Sequence, residues 1–99
     1  VVICLDTKNQ PTAINVCHVG SLNASLVHPR EVMKPAILSN AASILVGHNH
    51  PSGNSEPSQE DIQVTRKLVE AGKIMGIELL DHIVIGEDEF VSLKEKGYI

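Results

Sequence analysis

The sequence predicts an α/β (α+β) three-layer sandwich, a mixed β-sheet flanked by helices. Three observations predict it. Short β-branched, apolar runs recur along the chain, two longer stretches carry apolar residues at helical spacing, and the two kinds follow one another in the order β-β-α-β-α-β-β. Ninety-nine residues, 42% of them apolar and 20% charged, are enough to build one soluble domain with its own core. Residues 1–99 are therefore read as a single domain with no repeat, linker or low-complexity segment.

"VVICL" is β-branched and apolar, and "DTKNQP" after it has the composition of a turn. "TAINVCHV", residues 12–19, alternates as the returning strand of a hairpin. "GSLNAS" is small and polar and can border a groove. Pro29 suits the first turn of a helix, and Val32, Met33, Ala36 and Ile37 give it an apolar stripe. Pro35 removes a hydrogen bond inside that stretch, so the helix is expected to kink or to begin there. "ASILVGHNH" opens with a continuous apolar run, as a central strand buried on both faces does. Helical spacing returns from Ser58 to about Met75, with Ile62, Thr65, Leu68, Val69 and Gly72 on one side. "ELLDHIVIG" is a further strand, and "FVSL" can pair back before a last turn, "KEKG". As an edge strand, "FVSL" can join a second copy into a homo-oligomer.

Composition narrows the function. Eight Lys and Arg against twelve Asp and Glu give a formal net charge of −4, which opposes phosphate backbones. One Phe and one Tyr leave little to stack on bases, so DNA is not expected as a partner. No apolar run nears the ~18 residues of a membrane span, and no leader opens the chain, so no membrane role is expected. Cys4 and Cys17 lie in alternating apolar segments and form no CxxC pair, which favours reduced thiols in a cytoplasmic protein. The first strand is already under way at Val1, so an N-terminal portion of the full-length protein is expected to be absent.

The chemistry lies in "VGHNHPSGNSEPSQED", residues 46–61. Residues i and i+2 of a strand share a face, so His48 and His50 aim side by side while Asn49 points away. Pro51 ends the strand and leaves both imidazoles at its C-terminal tip, where open α/β sheets bind ligands. With Ser58 as N-cap of the next helix, Asp61 falls in its first turn. Two imidazoles and a carboxylate suit Zn²⁺ and leave a fourth position for water, which the metal activates toward a pKa of ~7. Ser58 can then hydrogen-bond a developing oxyanion. Taken alone, "SQED" is simply a variant capping box, and a pair of strand-end histidines is unremarkable. Their conjunction within fourteen residues favours a metal site.

His-x-His, seven residues, Ser, two residues, Asp also resembles the JAMM (MPN-plus) metalloprotease motif, matched here by His48, His50, Ser58 and Asp61. With "LVHPREV" before it and "LLDHIVIG" after it, essentially all of residues 1–99 resembles the RadC-like branch of that superfamily. The resemblance implies a cytidine-deaminase-like fold of JAB/MPN type. It implies Zn²⁺ on His48, His50 and Asp61, with Ser58 as the oxyanion or water-orienting hydroxyl. It further implies a metal-activated water attacking an amide carbonyl, so that the substrate is a peptide or protein. That branch carries a "DNA repair" label, which makes a DNA-associated accessory domain one alternative and a catalytically silent metal-binding module another. The family pattern adds an upstream glutamate as general acid and base. In RadC-like chains it lies just before the first strand, which places it ahead of Val1. Glu31, in "HPREV", better fits the exposed first turn of a helix.

Other candidates carry less. His18 and His28 read as surface or capping residues. Asp81 and His82 are adjacent in a strand and face opposite sides, so they cannot form a dyad. Ser52 lacks a nucleophile elbow. A deaminase needs His-x-Glu and a later Pro-Cys-x-x-Cys, and position 50 is His with no cysteine after it.

Overall fold

The computed structural model describes residues 1–15, 29–50 and 53–99. Cys17, His18, His28, Ser52, the "GSLNAS" segment and the second half of the expected 12–19 strand lie outside the described residues. The elements are β1 (Val2–Leu5), β2 (Pro11–Asn15), α1 (Pro29–Leu38), β3 (Ser43–Asn49), α2 (Gln59–Met75), β4 (Glu78–Ile85) and β5 (Phe90–Ser92). They form one five-stranded mixed sheet in the order β2-β1-β3-β4-β5. Among the described residues only the β3–β4 pair is parallel, and α2 supplies the crossover that such a pair requires. β5 is an edge strand, as expected of "FVSL". No described helix is long and apolar enough to cross a membrane.

Local chemistry explains the joints. Asp6 closes the β1–β2 turn by accepting hydrogen bonds from the backbone N–H groups of Lys8 and Gln10, at 2.8 and 2.9 Å. Helix α1 runs through Pro35 rather than starting there. The proline removes one N–H, and tertiary packing of Val32, Met33 and Ala36 holds the helix together. Ile37, expected in the same stripe, is instead exposed, since the helix seats through the other three. Helix α2 begins at Ser58 with a full capping box and ends at Gly76 in the left-handed conformation, as its sequence pattern predicts.

Both helices bury their stripes in one cluster with the even-numbered residues of β1 and β3, namely Val2, Cys4, Ile44 and Val46. Cys4 is a buried free thiol among the described residues. The opposite face, with Ile3, Leu45 and Ile83, is only half-buried, so β3 is not covered on both sides by described residues. A layer over that face is not among them.

On the covered face the side-chain series of β3 runs Ile44, Val46, His48, so the core passes into the two histidines without a break. In β4 the pairing slips between Ile44↔Leu79 and Leu45↔Asp81, which leaves Leu80 as an extra residue. This bulge reverses the alternation, and His82 and Val84 follow Leu79 onto the core face. Without it, Asp81 would point inward and His82 outward.

Gly72 fixes how closely α2 approaches the start of β4. A Cβ there would lie 2.1 Å from the Ile77 carbonyl oxygen, a backbone atom that cannot swing aside. Gly72→Ala is expected to cost about 2 kcal/mol by overpacking, lowering the melting temperature by roughly 10 °C. Calorimetry beside the exposed control Lys73→Ala checks it, and an unchanged melting temperature contradicts this packing.

Candidate metal centre

The tip of β3 and the first turn of α2 meet at the end of the sheet. His48 Nε2 lies 3.0 Å from Asp61 Oδ1, and His50 Nε2 lies 2.9 Å from Asp61 Oδ2. The two rings meet edge to face with centroids 5.0 Å apart. Asp61 is 1% exposed, and the ligand-type atoms of the three residues all fall within 4.8 Å of one another. The same-face placement of the histidines and the first-turn placement of Asp61 are as the sequence predicts.

Each side chain is held from behind. His50 Nδ1 is 2.8 Å from the Asn54 carbonyl oxygen, which can only accept, so Nδ1 carries the proton and Nε2 turns toward Asp61. Asn54 belongs to a segment seated on the end of β4, where the Gly53 carbonyl accepts the Glu87 N–H at 2.9 Å. That approach needs a glycine at 86, since a Cβ there would sit 2.6 Å from the Gly53 carbonyl oxygen. His48 Nδ1 contacts His82 Nε2 at 2.9 Å, and His82 Nδ1 contacts Thr65 Oγ1 at 2.7 Å. Asp61 Oδ2 accepts the Ser58 backbone N–H at 2.7 Å, and Ser58 Oγ accepts the Asp61 N–H at 3.1 Å. The capping box and the candidate ligand set therefore share one carboxylate, and the two sequence readings of "SQED" hold together.

Donor chemistry tests the fit of a cation. His48 Nε2 and Asp61 Oδ1 are buried and lack a hydrogen-bond partner, although they are only 3.0 Å apart. At that distance the pair needs either a proton between ring nitrogen and oxygen or a cation held by both. On the other side, the His50 Nε2 lone pair faces a carboxylate lone pair. Such groups repel unless a proton or a metal ion lies between them, and a divalent cation satisfies the whole set at once. Burial raises the Asp61 pKa, but hydrogen bonds and charge from His48, with the Ser58 N–H, more than offset it. The carboxyl is held below its usual range and stays ionised.

Two other groups complete the neighbourhood. His82 is fully buried, and its role was missed in the sequence because the bulge that turns it inward has no signature there. Thr65 was read only as part of the apolar stripe, although its position four residues after Asp61 places it under the same helix face. Asp81 faces away, accepting the His82 and Lys94 backbone N–H groups and the Ser92 hydroxyl, which ties β4 to β5. Glu31 is exposed in the first turn of α1, 3.8 Å from Arg30, and is not in the metal cluster.

Burial, and then the neighbouring His48, push the His82 pKa down from 6.5 to about 4. Between those values the unfolded chain binds a proton that the folded one refuses. Stability is therefore complete above pH 6.5 and is lost on acidification toward pH 4, by up to about 3 kcal/mol. Urea unfolding of chelator-treated protein across this range should show the decline, and stability that is flat or rises on acidification contradicts it.

Comparison with known proteins follows the same lines. The family model described as RadC-like JAB domain matches residues 1–98. A UPF0758 protein of Geobacillus sp. (strain WCH70) is 62% identical over all 99 residues, which make up 44% of that protein. A UPF0758 protein of Methanosarcina barkeri is 57% identical, again over the full chain and 43% of its own length. One from Bacillus licheniformis is 58% identical over 44% of its length. The chain thus spans less than half the length of the curated relatives it matches. With the family model covering nearly every residue, the chain belongs to the RadC-like JAB domain family.

Proposed function

We propose that this domain holds Zn²⁺ and hydrolyses amide bonds, peptide or isopeptide, in a protein substrate. The observation that carries the reading is the buried convergence of His48 Nε2, His50 Nε2 and the Asp61 carboxylate. Two neutral nitrogens and one carboxylate form a donor set that suits zinc and leaves one coordination position open. When bound, zinc supplies Lewis acidity toward a carbonyl oxygen and lowers the pKa of water.

The remaining work falls to the protein. Asn54 and His82 hold the imidazoles, and the Ser58 N–H holds Asp61. Ser58 Oγ spends a lone pair on the Asp61 N–H and keeps its own proton to give. The half-buried hydroxyl sits one helical turn from the ligand, and that supports a role in hydrogen-bonding a developing oxyanion. DNA has no part in this reading, because a net charge of −4 opposes it. A second reading is a metal-holding interaction module without catalysis. It is favoured by the absence, among the described residues, of any further carboxylate in the cluster to serve as a base.

Protein purified without chelator is expected to carry one zinc per chain by elemental analysis, lost in His48→Ala. The chain extended upstream by ten or so residues is expected to cleave model peptides or isopeptides. Ser58→Ala should keep its zinc and lose roughly 10²–10³-fold in rate. Zinc in neither protein refutes the site, whereas zinc without hydrolysis in the longer chain selects the module.

A further inference from the structure

Behind His48 lies a run of buried polar contacts whose direction can be worked out. Thr65 Oγ1 donates to the Asp61 backbone carbonyl at 2.9 Å and contacts His82 Nδ1 at 2.7 Å, and His82 Nε2 contacts His48 Nδ1 at 2.9 Å. With the Thr65 hydroxyl proton given to that carbonyl, its oxygen is left to accept. The next contact then needs its proton on His82 Nδ1. A neutral imidazole has one proton, now spent, so His82 Nε2 accepts and His48 Nδ1 donates. The reverse polarity would place a proton on His48 Nε2 toward Asp61 Oδ1, so a cation held at Nε2 admits only this one. The run is also closed: it starts on the main chain of Asp61 and returns through His48 Nε2 to the side chain of Asp61.

We propose that Thr65 and His82 are positioning residues that hold His48 in its Nδ1–H tautomer and so present the Nε2 lone pair to a divalent cation. This rests on the metal-binding reading above. It parallels what the Asn54 carbonyl does for His50, whose Nδ1 proton it accepts directly. Outer groups of this kind fix ring orientation and ligand basicity, and their loss typically weakens metal binding 10- to 100-fold.

The test reads the tautomer directly. Long-range ¹H–¹⁵N correlation spectra of Zn²⁺-loaded, histidine-labelled wild-type protein at about pH 8 should show both His48 and His82 protonated at Nδ1. A proton on Nε2 of His82 overturns the proposal. Thr65→Val should release His82 from its single tautomer and weaken Zn²⁺ binding by roughly 10- to 100-fold in chelator competition, and Thr65→Ser should restore both. Equal affinity in wild type and Thr65→Val overturns the proposal while leaving the metal site standing. Wild type that takes up no Zn²⁺ instead sinks the metal reading, and this inference with it. Should Thr65→Val fail to fold, the wild-type spectrum alone decides.

Discussion

Everything at this site depends on one electrostatic constraint. Two imidazole nitrogens and two carboxylate oxygens meet in a buried space with their lone pairs facing one another at about 3 Å. In a dry interior that arrangement is repulsive unless positive charge lies at the centre, and four separate elements work to maintain it. The strand tip supplies the rings and the helix start the carboxylate. The segment after Gly53 and strand β4 hold the rings from behind.

The carboxylate joins fold to site. Asp61 caps α2 through the Ser58 N–H and faces the histidines with the same oxygens. A cation bound there therefore pulls on the first turn of the helix that carries much of the core, through Val64 and Leu68. Metal binding and folding are coupled for that reason. The core itself is ordinary, and what distinguishes this fold is that one face of β3 runs from Ile44 and Val46 straight into His48.

Much of this was legible in the sequence because it follows from short-range rules. The alternation in "SILVGHN" places His48 beside the core, "SQED" starts α2, and Gly76 ends it. The strand and helix order came out of the same periodicities. What escaped depends on pairing between distant segments. The Leu80 bulge decides that His82 faces inward, and it exists only in the register of β4 against β3. The continuation of α1 through Pro35 rests on tertiary packing, which no local propensity reports. The half-exposed second face of β3 likewise could not be seen from a run of apolar letters alone.

The central claim is that the converging atoms enclose a cation. Anomalous diffraction at the zinc absorption edge, from crystals grown with Zn²⁺, tests it most directly. The account predicts a single peak bounded by His48 Nε2, His50 Nε2 and the Asp61 carboxylate. A map with no peak there, and Asp61 turned away from both rings, would contradict it.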